Sequence, residues 1–165
     1  MSLRIVVPSL IGAVALGGVA IGGIASASSP GTPSGTPSAA PSAAAPAKPS
    51  VENSAARYVA PAGGAAGSLT FTAKVTDASG VRSLKVLAWP KSSDLRPTAA
   101  EVATAESATC EKSSARTSAC TYTLKVTPEE AAELPEGAWN VSVLATAKDG
   151  DTTFVPEAAT FDVPR

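Results

Sequence analysis

Gly137-Ala138-Trp139-Asn140-Val141-Ser142-Val143-Leu144-Ala145-Thr146-Ala147-Lys148-Asp149-Gly150 is the stretch on which the fold turns. Trp139, Val141, Val143 and Ala145 fall on every second position, the period of a strand that buries one face. Pro135-Glu136-Gly137 leads into this run. Lys148-Asp149-Gly150-Asp151 then offers the aspartate and glycine of a tight turn that sends the chain back. The stretch therefore predicts a core strand with a hairpin partner. Residues 152–155 and 159–163 supply that partner, and Pro156 between them is tolerated best at a sheet edge or bulge.

The same alternation recurs upstream. Leu69, Phe71, Ala73 and Val75 share one face of a strand that ends at the turn Asp77-Ala78-Ser79-Gly80. The run that follows, residues 81–89, carries Leu84, Val86 and Ala88 on one face. Ser83, Lys85, Leu87 and Trp89 lie on the other, so the strand is apolar on both sides near its end. Pro90 stops it. Tyr122, Leu124 and Val126 form the inward stripe of residues 121–126. Thr127-Pro128-Glu129-Glu130 then reads as a capped helical turn that crosses between sheets, with proline at its first position and glutamate three residues after the cap. Residues 57–61 read as a short apolar entry to the domain, and the Gly/Ala run 62–67 as a crossing from one sheet to the other. In residues 91–108, Pro97 starts a helical turn and 99–105 reads as helix or loop. About seven short strands without a long amphipathic helix predict an all-β fold, an antiparallel β-sandwich.

Composition narrows the function classes. In 165 residues, 13 Lys and Arg stand against 14 Asp and Glu, a formal net charge of -1. Such a balance provides neither the basic footprint of a nucleic-acid binder nor a polybasic membrane segment. The chain has 0 His, which removes the commonest general base and metal ligand. No Gly-x-Ser-x-Gly elbow is present, and a serine triad lacks its imidazole. The sequence points to no catalytic residue, no cofactor and no metal.

The N-terminal part has a different character. A positive start at residues 1–4 and an apolar run over 5–24 precede Ala25-Ser26-Ala27, a small-x-small cleavage signature, so residues 1–27 read as a signal peptide. The competing reading is an uncleaved anchor, because about twenty apolar residues span a bilayer. Residues 28–56 read as a disordered Ala/Pro/Ser-rich linker, with 28–49 built almost only from Ser, Pro, Gly, Thr and Ala. The folded domain is then expected at 57–165. Export predicts a secreted, extracellular protein without stable membrane insertion once the signal peptide is cleaved.

The succession Leu69-Thr-Phe-Thr-Ala-Lys-Val-Thr-Asp-Ala-Ser-Gly-Val81, then Leu134-Pro-Glu-Gly-Ala-Trp-Asn-Val-Ser-Val-Leu-Ala-Thr-Ala-Lys-Asp-Gly150, then Phe161-Asp-Val163 resembles bacterial immunoglobulin-like modules. With Val86-Leu87-Ala88-Trp89-Pro90 and the two cysteines, it looks most like an uncharacterised secreted domain family of high-GC Gram-positive bacteria. The resemblance covers about residues 58–163. It implies an immunoglobulin-like fold and an extracellular compartment and brings no catalytic residues. The inter-sheet cysteine pair of antibody domains is missing.

Few residues stand out as sites. Two cysteines in an exported chain predict a Cys110–Cys120 disulfide, bracketing a polar loop with Lys112 and Arg116 at its tip. Those two cations and Trp89 are the candidate ligand contacts, although Trp89 reads first as packing beneath residues 91–108. Asp149-Gly150-Asp151, with Asp77 or Asp94, could suit calcium, but turn chemistry explains the same residues. Asn140-Val141-Ser142 matches a glycosylation sequon in the middle of a strand. The expectation is a secreted or envelope-associated non-enzymatic module with a structural or binding role, its ligand unknown and an envelope protein or polysaccharide a candidate partner. The alternative is an enzyme or enzyme inhibitor working through residues 91–119.

Overall fold

The computed structural model describes residues 47–164. The expected signal peptide and most of the expected linker fall in residues 1–46 and lie outside it. Eight strands and two short helices follow in the order β1 Ser50–Val59, β2 Gly67–Thr76, β3 Val81–Pro90, α1 Ala99–Ala103, β4 Glu106–Ser107, β5 Thr109–Lys112, β6 Thr117–Val126, α2 Pro128–Glu133, β7 Gly137–Ala147 and β8 Thr152–Val163. They build two four-stranded antiparallel sheets, ordered β1-β2-β6-β5 and β4-β3-β7-β8. The sheets pack as a sandwich, and the strand order is consistent with the A-B-E-D and C′-C-F-G layout of immunoglobulin-like folds.

The core follows the alternation. Leu69, Phe71, Ala73 and Val75 of β2 face Leu84 and Val86 of β3 and Trp139, Val141, Val143 and Ala145 of β7, all buried. At one end Phe161 stacks between Trp139 and Tyr58, with ring centroids 5.8 and 6.2 Å away. The Trp139 indole N–H donates to Pro135 O at 2.9 Å. Pro135 thereby fixes the chain as it enters β7.

Three boundaries depart from the sequence reading. Strand β1 starts at Ser50, not near residue 57, so residues 50–56 belong to a sheet and not to the linker. Their Ala, Ser and Glu content has low strand propensity. They are held by pairing, from Ser50 opposite Thr76 to Val59 opposite Ser68. Residues 60–66 do not cross between sheets either. They close a hairpin within one sheet, using Gly63 and Gly64 at φ +57° and +80°. The eighth strand is β4, two residues long.

Both helices are capped as their sequences require. Thr127 and Glu130 form a reciprocal capping box on α2, which connects β6 in one sheet to β7 in the other. Thr98 and Glu101 repeat it on α1. Thr127→Ala should lower the unfolding free energy by about 1 kcal/mol, read as a shift of the urea midpoint with an unchanged slope.

The sheet edges are short or irregular. β4 and β5 have 2 and 4 residues, and β1 is bulged around Asn53, whose φ is +52°. In β8, residues 156–158 face the single residue Ser142 of β7, with Pro156 inside the bulge. Such edges resist strand-to-strand association.

Candidate binding surfaces

Trp89 is not a surface contact. It is 4% exposed, because residues 91–108 fold back over the outer face of the β4-β3-β7-β8 sheet. Val102 of α1 and Leu144 of β7 are buried there as well, forming a second small apolar layer with Trp89. The indole Nε1–H donates to Ser142 Oγ at 2.9 Å, and the Arg96 guanidinium sits 5.7 Å above the ring centroid. Lys85 Nζ donates to Ala105 O and the Ala108 amide to Leu84 O, both at 2.8 Å, which tie down the far end of the cover. Asn140 of the sequon lies on the same face and is 1% exposed, so its amide is sealed from a glycosylating enzyme.

The second sheet is open. On its outer face Thr70 lies opposite Thr123 and Thr72 opposite Thr121, and Thr109 continues the second row. Thr76 and Thr117 close the array with their hydroxyls 3.2 Å apart. An open depression of about 300 Å3 runs beside these rows, lined by Ala55, Arg57, Val59, Ser68, Thr70 and Thr72. β-branched side chains fill a solvent-facing pleat well. They leave a face of hydroxyls and methyls whose closest ion pair, Lys74 with Glu52 at 3.4 Å, is half exposed and adds little stability.

The third surface is one end of the sandwich. Cys110 and Cys120 sit directly opposite on β5 and β6 and are joined in a disulfide, with Cα atoms 4.0 Å apart. Cys120 is buried in the core, so the staple fixes an edge strand to the interior. Lys112 and Arg116 are both exposed beyond it. The loop is held from the neighbouring turn, where the Asp77 amide donates to Arg116 O at 2.8 Å. A side chain at Gly80 would stand 3.0 Å from Ala115 O, and Gly80 itself has φ +92°. From the third loop, the Asp149 amide donates to Ser79 Oγ at 3.2 Å.

Turn chemistry engages the aspartates of this end, although the buried Asp77 Oδ2 has no hydrogen-bond partner. Asp77 is 3% exposed, and its Oδ1 accepts from the Ser79 amide and hydroxyl, each at 2.7 Å. Asp149 Oδ1 accepts from the Asp151 amide at 3.1 Å. Among the described residues no three or more His, Cys, Asp or Glu are placed to hold a metal ion. Nor is any described helix long and apolar enough to cross a membrane. Asp94 lies away from this cluster, in the stretch between β3 and α1.

In residues 91–119, Glu101 and Glu106 have structural partners. Glu101 caps α1, and the Thr98 amide and then its hydroxyl hold the Glu101 carboxyl below the usual range. Glu106 Oε2 accepts from Tyr122 OH at 2.6 Å, joining the two sheets at their edge. Burial first, and then the bond to Glu106 and its charge, push the Tyr122 phenol above the ordinary tyrosine range. The folded state thus keeps a proton that the unfolded state gives up above about pH 10. Stability should therefore fall as pH rises past that point, and Tyr122→Phe should flatten the alkaline limb in denaturation curves taken across it.

The sequence reading placed the disulfide correctly, but its polar loop 111–119 is a tight hairpin, with exposed Lys112 the last residue of β5 and exposed Arg116 in the turn before β6. It missed the threonine rows, although Thr70-Phe71-Thr72 and Thr121-Tyr122-Thr123 were visible as matched triplets on strands able to pair. No curated protein and no solved structure matches the chain. A family model does match residues 51–145, starting inside β1 and covering more than half of the sequence. The chain belongs to a family of unknown function, DUF5707.

Proposed function

We propose that the chain is an exported immunoglobulin-like module that acts outside the cell, at or released from the envelope, by binding rather than catalysis. The observation that supports this most is the exposed threonine face of the β1-β2-β6-β5 sheet, next to the disulfide-stapled β5–β6 hairpin that presents Lys112 and Arg116. One sheet is sealed by residues 91–108, and the other presents an extended hydroxyl and methyl surface suited to an envelope polysaccharide or protein. The core-facing disulfide fits an oxidising compartment. The apolar start of the chain followed by Ala25-Ser26-Ala27 fits export, with Ser28 as the mature N-terminus.

The secreted chain should be retained by immobilised envelope polysaccharide, and replacing Thr72 by lysine and Thr121 by glutamate, an opposed ion pair in place of two hydroxyls, should abolish retention while the denaturation midpoint stays in place. Turnover in a broad hydrolase screen, lost on replacing one carboxylate, would sink the binding reading. Mass spectrometry of culture supernatant tests the export half: product that stays with the cells with residue 1 intact contradicts cleavage after Ala27.

A further inference from the structure

The covered sheet face contains a group of side chains that packing does not fully employ. Trp89 and Asn140 are direct neighbours across β3 and β7, so they share that face. Ser142 takes the indole N–H and donates its own proton to Pro156 O. Asn140 Nδ2 donates to Glu157 Oε1 at 3.5 Å, while its Oδ1, buried with the rest of the side chain, has no hydrogen-bond partner. A buried amide oxygen left empty is unusual in a folded protein. Glu157 reaches this place because the β8 bulge carries it there, and bulges commonly re-aim side chains beside functional sites.

The lid over the group is lightly held. The Arg96 side chain donates only to Leu95 O and Ser93 O, in its own segment. The Ser93 amide and hydroxyl turn back to Pro90 O. The segment hangs between the Lys91 amide, which donates to Ala138 O at 2.9 Å, and the capped start of α1. Arg96 is exposed and rests on the indole through a ring contact.

We propose that Trp89, Asn140 and Glu157 form a saccharide subsite closed by residues 92–97, in which the Arg96 guanidinium occupies the indole face that a sugar ring would take. An indole offers the apolar platform on which a pyranose stacks by its C–H face. Asn140 Oδ1 and the Glu157 carboxylate accept from sugar hydroxyls, and the displaced Arg96 donates from the rim. This site rests on the binding-module reading but lies on the opposite sheet from the threonine face, so the two can fail separately.

The test follows the two indole N–H signals of the secreted chain by NMR during titration with cellotetraose and with the β-linked N-acetylglucosamine tetramer. The Trp89 signal should move with one of them while that of Trp139 stays still. Arg96→Ala, which removes the occupant, should tighten binding by about fivefold. Glu157→Gln should weaken it by about tenfold at an unchanged denaturation midpoint. A Trp89 signal unmoved by either sugar in both the native chain and Arg96→Ala overturns the proposal, as does undiminished affinity in Glu157→Gln. If the signal is unmoved while envelope polysaccharide is still retained, the subsite falls and the binding module stands.

Discussion

Trp89→Ala should cost about 3 to 5 kcal/mol of unfolding free energy, as much as losing an aromatic residue from a sandwich core. The sheet would lose the largest member of the layer it forms with Val102 and Leu144, and with it the Arg96 contact and the bond to Ser142. That hydroxyl would still donate to Pro156 O but would lose its donor inside a sealed space. Urea denaturation of the purified chain measures the effect. A change below about 0.5 kcal/mol, the range of ordinary surface substitutions, would mean that residues 91–108 do not cover the indole. Lys112→Ala and Arg116→Ala belong to that small range, because both side chains are exposed.

Removing the staple should have the second largest effect. Replacing Cys110 and Cys120 together by serine leaves no odd thiol and should lower stability by roughly 2 to 3 kcal/mol, the chain-entropy value for a loop of this length. The separation is 10 residues. Loosening should be local first: hydrogen exchange should quicken in β5, which pairs only with β6, before it quickens in β2 or β7. Equal acceleration throughout would show that the bond supports the whole sandwich and not one edge. Free thiols in the purified, unreduced protein, seen by mass spectrometry, would remove the premise.

The parts of the fold legible in the sequence were those where one face of a strand is buried and the other wet. β2 and β6 declared themselves by alternation, and the Asp77 to Gly80 turn and the Thr127 capping box by local chemistry. β7 was legible only in half. Its inward stripe was plain, but Asn140 and Ser142, polar and nearly inaccessible, reveal a covered second face only once residues 91–108 are seen lying on it. β1 was hidden for the opposite reason, since Ala55, Ala56 and Ser54 have no pattern of their own and become a strand by pairing with β2. Trp89 carried the one real ambiguity. A tryptophan on the less apolar face of a strand looks alike whether it awaits a ligand or a cover, and Thr98-Ala99-Ala100-Glu101, a capping box, was the local hint that a cover follows.

The chain enters the sandwich at Ser50, opposite Thr76, and leaves it at Val163, opposite Gly137, which are opposite ends of the strands. A pull between these two points draws β1 along β2 and β8 along β7. Their hydrogen bonds are loaded together, in shear, and do not peel one at a time. In a single-molecule stretching experiment the domain should give one abrupt rupture, not a gradual unzipping. The Cys110–Cys120 bond lies off this load path and should hide its loop from the extension, shortening it by about 30 Å relative to the reduced chain.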